Sequence, residues 1–163
     1  MLEELQARVR RLEDESAIQR LIMSYGPAAD AGLARSAASA WAADGIYDWD
    51  AGVDPIQGAV GVEQMLRGDM HRGLINHGAA HFAGPLLVTV DGDEATALNY
   101  SLVMRRDDER FYLWRVSAVR WDLERFGSSW RVRRRTNRLL DASGAGRHLF
   151  EDTMGEVFVE ATR

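Results

Sequence analysis

Apolar residues recur at steps of three and four along the first part of the chain, at Leu2, Leu5, Val9 and Leu12 and again at Ile18, Leu21, Ile22 and Tyr25. That spacing draws one stripe along an α-helix. The stripe changes phase near Ser16, so the pattern predicts a short N-terminal arm packed on a partner. A second helical piece would follow, capped by Asp14 or Ser16. Two heptads are too few to define a coiled coil. At Gly26-Pro27 a proline removes a donor and crowds the preceding turn, which predicts a kink or a restart there. "LARSAASAWAADG" predicts a second short helix ending at Gly45, and "IYDWD" a strand. "AVGVEQMLRGDMHRGL" predicts a third amphipathic helix with Val62, Met65, Leu66 and Met70 on one face.

From residue 75 onward the period shortens towards two. "INHGAAHFAGPLLVTV" runs into the turn signal Asp91-Gly92-Asp93, and "EATALNYSLVMRR" returns from it as a hairpin. "RFYLWRVSAVRWDLERF" is a long strand, and beyond Gly127 "SWRVRRRTNRLLD" is its antiparallel return. In the long strand Tyr112, Trp114, Val116 and Ala118 share one face, then Val119, Trp121 and Leu123 take over at odd positions, a switch that marks a bulge or a strong bend. The tail from residue 142 to 163 mixes signals and reads as a surface-running extension. Helices first and long antiparallel strands afterwards predict an α+β domain with a curved sheet. A small-molecule pocket belongs on its concave side.

Composition narrows the chemistry sharply. The chain of 163 residues contains no cysteine, and all 20 of its basic side chains are arginine. Thiolate nucleophiles, cysteine-bound metals, lysine Schiff bases and the Gly-Lys-Ser/Thr phosphate loop are therefore excluded. The net charge of −5 opposes binding to a phosphate backbone, so the arginine-rich run near the end is not read as a nucleic-acid signal. No apolar stretch approaches the length of a bilayer span, and the charged N-terminus lacks the apolar run of an export signal. A cytoplasmic protein without a membrane partner is the expectation.

Acid–base work then falls to His, Asp, Glu and Tyr. His77 and His81 stand four apart in a segment read as extended, which would put both imidazoles on one face. A metal pair would need helix at that spacing and a third ligand that the sequence does not place, so no metal is expected. Asp30 lies in the small-residue stretch "GPAADAGLA" with no cationic neighbour before Arg35. It either caps the next helix or points into the pocket, where a carboxylate beside an imidazole would set its tautomer. Tyr25, Tyr47 and Trp49 are candidate pocket walls, with Asp48 and Asp50 on the opposite face of their strand. In "WRVRRRTNRLL", alternation assigns Arg131, Arg133 and Arg135 to a solvated or subunit face, balanced by Asp122 and Glu124. Arg134 or Arg138, on the Trp130 side, would reach inward as an anion clamp.

The segments "AIQRLIMSYGPAADAG", "WAADGIYDWD", "GAVGVEQML", "HFAGPLLVTVDGDEATALNYSL" and "SWRVRRRTNRLLD" together resemble the SnoaL-like branch of the nuclear transport factor 2-like superfamily. The likeness runs from about Leu12 to Asp141. It implies a single domain over 1–163, with a core at about 12–141 and a C-terminal extension. The implied fold is a cone of curved, antiparallel or mixed sheet wrapped by three N-terminal helices around a hydrophobic pocket, in a homodimer or homotrimer. Members resembling scytalone dehydratase, bile-acid dehydratase and dehydrochlorinase use an Asp at the end of the first helix and a His on the strand after the third. Those positions match Asp30 and His81, and Tyr25 matches a tyrosine of some relatives. Pro27 departs from the pattern, and His77 competes with His81.

The resulting expectation is a lyase or isomerase without cofactor, with Asp30 and His81 as catalytic residues. Tyr25, Tyr47, Trp49, His77 and Arg134 would contact a small hydrophobic, polycyclic, steroid-like or polyketide-like substrate. Two rivals stand beside it: a binding protein that holds such a ligand without turning it over, and a structural subunit resembling the small subunit of ring-hydroxylating dioxygenases.

Overall fold

Helix α1 runs unbroken over Leu2–Asp30, where the apolar phase predicts two pieces. The computed structural model describes residues 1–49 and 52–161. Leu2, Leu5, Val9 and Leu12 lie exposed on the free arm, while Ile18, Ile22, Tyr25 and Ala29 form the buried stripe. Asp14 caps nothing. Its carboxylate accepts from the two terminal nitrogens of Arg125 at 2.8 and 2.9 Å and from Trp130 Nε1 at 3.0 Å, tying the helix to the far end of the sheet. Pro27 does not break the helix. The carbonyl it leaves without a donor is that of Met23, an exposed residue whose carbonyl water can satisfy.

The second helix, α2, covers only Ala34–Ala38, and strand β1 already begins at Trp41 and runs to Asp48. The helix predicted through Gly45 is therefore wrong at its second half. Trp41 is pulled into the sheet by parallel pairing with Val132, and it packs edge-on to Tyr25 at 5.2 Å. Tertiary contact of that size overrides the helix preference of the alanines around it. After the short β2, Ile56–Gln57, the third predicted helix is in fact two, α3 over Gly58–Arg67 and α4 over Asp69–Asn76. Extended Gly68, at φ −68° and ψ 158°, separates them.

The remaining strands are β3 at Ala79–Ala83, β4 at Leu87–Asp91, β5 at Glu94–Arg106, β6 at Phe111–Phe126 and β7 at Ser129–Leu139. Gly92 and Gly127 turn the two hairpins at φ 60° and 61°. The sheet runs β2-β1-β7-β6-β5-β3, with β4 also on β5. All pairs are antiparallel except β1 with β7, so the sheet is mixed, open and curved. Its inner face packs Ala95, Ala97, Val119, Trp121, Leu123, Trp130 and Val132 against the buried stripe of α1.

On the outer face lies α5, Ala145–Ala161, where the sequence reads only as a surface-running extension. Phe150 meets Tyr100 edge-on at 4.8 Å, and Arg120 reaches Glu156 at 2.7 Å. This helix explains the double apolar phase of β6. Ser117, Ala118 and Val119 are consecutively buried because both faces of the strand are covered there. A bulge does occur on β6, at Trp114, where the register against β5 jumps between Val103 and Met104.

Candidate active site

A cavity of about 790 Å³ opens between α4 and the inner face of the sheet. Its rim carries exposed Met70 and His77 and the half-exposed Trp114, and its floor is built from buried Tyr25, Tyr47, Leu66, Ser117, Arg135 and Asn137. The wall is not simply hydrophobic, since three arginines and three histidines line it among the apolar and aromatic side chains.

Asp30 ends α1 beside the start of β3, and both of its oxygens are used on one residue. Oδ1 lies 2.5 Å from His81 Nδ1, and Oδ2 accepts the His81 backbone N–H at 2.8 Å. An ionised carboxylate can only accept, so Nδ1 is the donor to it, and the neutral imidazole in this tautomer keeps its lone pair on Nε2. Both side chains are 21% exposed, enough for contact with a ligand and dry enough to strengthen the bond. The close approach of helix to strand depends on Gly26. A Cβ there would stand 2.3 Å from the His81 carbonyl oxygen, so only glycine lets α1 pass this near.

His71, on α4, is buried against the same pair. Its Nε2 donates to the Ala29 carbonyl at 3.0 Å, and its ring lies 5.7 Å from that of His81. Deeper in, Tyr25, Trp41, Tyr47 and Trp121 form a continuous aromatic cluster. Burial pushes the Tyr25 phenol well above its ordinary range; the neighbouring Tyr47 adds to this and Arg135 opposes it. Tyr25 therefore stays protonated and able to donate at neutral pH. Among the described residues no group of three or more His, Asp or Glu side chains could hold a metal ion.

Most of the predicted site residues meet at this cavity, though not always by the predicted route. Tyr25, Tyr47, Trp49, His77 and His81 all line it, with Asp30 behind His81. His77 does not share a strand with His81. It caps α4, with Nδ1 donating to the Gly73 carbonyl at 2.7 Å, and β3 begins two residues later. Asp48 does lie opposite Tyr47, held by Arg138 at 2.8 and 2.9 Å, while Asp50 falls outside the described residues.

The arginine assignment is reversed. Arg134 does not line the cavity; Arg135 does, and it is 4% exposed. The register of β7 against β6 skips Arg133, pairing Leu123 with Val132 and Asp122 with Arg134. One extra residue flips the alternation, so Trp130 and Val132 point inward before the bulge, and Arg135 and Asn137 after it. Arg133 instead reaches Glu94 at 3.0 Å. Sequence reasoning also missed His71, because no spacing rule links a helix residue to a strand residue ten positions on.

The SnoaL-like domain family matches residues 10–136. An NTF2-like protein with a cystatin-like fold from Novosphingobium aromaticivorans is 44% identical and superposes with a TM-score of 0.88, covering 91% of this chain and 96% of that one. A protein of unknown function from Mycobacterium tuberculosis is 22% identical, with a TM-score of 0.71 over 78% of this chain and 77% of that one. A protein provisionally named a scytalone dehydratase, also from N. aromaticivorans, shares the fold at 16% identity and a TM-score of 0.65, over 86% and 89% of the two chains. No curated protein matches the sequence. No helix among the described residues is long and apolar enough to cross a membrane.

Proposed function

The chain belongs to the SnoaL-like domain family, and we propose that it is a lyase or isomerase of the dehydratase type that works without a cofactor. Its substrate is a small apolar molecule of polycyclic, steroid-like or polyketide-like character. The observation that carries this reading is His81 on the cavity wall with Asp30 behind it, Nδ1 committed to the carboxylate and Nε2 available as a base in the neutral ring.

His81 Nε2 takes a proton from a carbon made acidic by an adjacent carbonyl, and the electron pair moves towards the carbonyl oxygen. Asp30 stabilises the imidazolium that results and holds its ring in place. Tyr25 and Tyr47 donate towards the oxygen that gains charge, from a floor where water cannot compete. In elimination the imidazolium proton leaves with the departing hydroxyl as water while the double bond forms. In isomerisation the same proton returns to a different carbon.

His81→Ala and Asp30→Asn test this. Each should slow turnover of a fused-ring β-hydroxy ketone by about 10²–10⁴-fold, and each should slow exchange of its acidic C–H for deuterium from D₂O. Circular dichroism should show both variants folded. Full exchange and turnover in either variant would remove the pair from the reaction.

A further inference from the structure

The floor of the cavity holds a cation that has no counter-ion among the described residues. Arg135 is 4% exposed, and its Nε and Nη1 have no hydrogen-bond partner. No carboxylate among the described residues forms an ion pair with it. Three rings surround it instead, with the centroids of Tyr25, Tyr47 and Trp121 at 4.7, 4.7 and 4.5 Å from Cζ. The π faces offset part of the cost of desolvating the charge, but they leave Nε and Nη1 unsatisfied.

The rest of the lining does not supply the missing negative charge. Arg105 and Arg115 also face the cavity, one over the Trp114 ring at 4.9 Å and the other donating to the Trp49 carbonyl at 2.8 Å. Asp69, on the rim, is 96% exposed and already paired with Arg72. Asp30 is committed to His81. The described lining is thus cationic as well as aromatic, and a planar guanidinium is among its buried polar groups.

We infer that the cavity selects a flat, apolar ligand bearing an anionic oxygen group, a carboxylate or a phenolate, which Arg135 receives at the aromatic floor. The inference rests on the reading of this cavity as the substrate site, and it adds the charge of the ligand. A planar guanidinium stacked between rings aligns such a group with an attached ring system, which a neutral ester or amide matches poorly.

Calorimetric binding of 2-naphthoate and of its neutral counterpart 2-naphthamide tests it. The wild-type protein should bind the acid at least 10-fold more tightly than the amide. Arg135→Gln should bring the two affinities within 2-fold, while Arg135→Lys, which keeps the charge, should retain a reduced preference and serve if the Gln variant does not fold. Equal binding of the two probes by wild type, binding of neither, or an undiminished preference in both variants would overturn the inference. His81→Ala separates it from the proposed reaction, because that variant should keep the acid preference while losing turnover. An unchanged turnover there, with the preference still set by Arg135, would end the reaction proposal and leave the ligand charge standing.

Discussion

Gly26→Ala adds one methyl group where α1 crosses β3, and the structure sets the size of its effect. The new Cβ would lie 2.3 Å from the carbonyl oxygen of His81 and 3.3 Å from its carbonyl carbon, both backbone atoms that no rotamer change can move aside. Restoring ordinary contact requires helix and strand to part by about 1 Å. Asp30 lies one turn further along α1, so the same displacement would stretch its bonds to His81, now 2.5 and 2.8 Å, to the limit of hydrogen bonding. Overpacking costs about 1–3 kcal/mol, and loss of a charge-assisted bond costs about 1.5–3 more. Alanine's helix preference returns about 1 kcal/mol at most, and less here because Pro27 crowds a side chain on the residue before it. The net expectation is a loss of about 2–4 kcal/mol, measured as a lower midpoint in urea. The downfield NMR signal of the His81 Nδ1 proton should vanish with it. An alanine variant as stable as wild type, with that signal intact, would show that the close approach of α1 to β3 does not position the pair.

Two further predictions concern the frame around the cavity. The Arg125 guanidinium beside Asp14 holds its carboxyl below the ordinary carboxylate range, against the opposing effect of burial, and Trp130 Nε1 helps. A depressed carboxylate stabilises fully above the unfolded value of about 3.9, and that contribution is lost as pH falls through the lower folded value. Asp14→Asn should therefore cost about 1–3 kcal/mol at pH 7 and weaken the acid dependence of urea unfolding followed by tryptophan fluorescence; equal curves at pH 7 would show the pair to be idle. Asn99→Ala removes the acceptor that Trp121 Nε1 uses at 2.9 Å inside the core. It should lower stability by about 1–3 kcal/mol, read in the same assay, and an unchanged midpoint would mean that the indole finds another partner.

The chemistry of the site was largely legible from residue types. With no lysine or cysteine in the chain, proton transfer was left to a few carboxylates, imidazoles and phenols, and Asp30 stood out for lacking a local partner. The elements were legible where burial is one-sided. The hairpin turns at Gly92 and Gly127 and the inward face of β6 from Val119 to Leu123 follow directly from alternation. The bulge that the phase switch on β6 predicts does occur, but the pattern does not reveal that α5 covers the outer face of that strand, and it misled at Trp41, which enters the sheet from a stretch that looks helical on its own.

Sequence alone thus determined the class of fold, the inventory of reactive groups and the family resemblance, because these depend on composition, local periodicity and the order of motifs. Tertiary structure alone decided which imidazole meets Asp30, and it decided that Arg135 and not Arg134 lies in the cavity. The first choice depends on a helix-to-strand contact that only a missing Cβ permits. The second depends on one residue of register in β7, and a single-residue bulge exchanges the two faces of a strand without leaving a mark in its alternation.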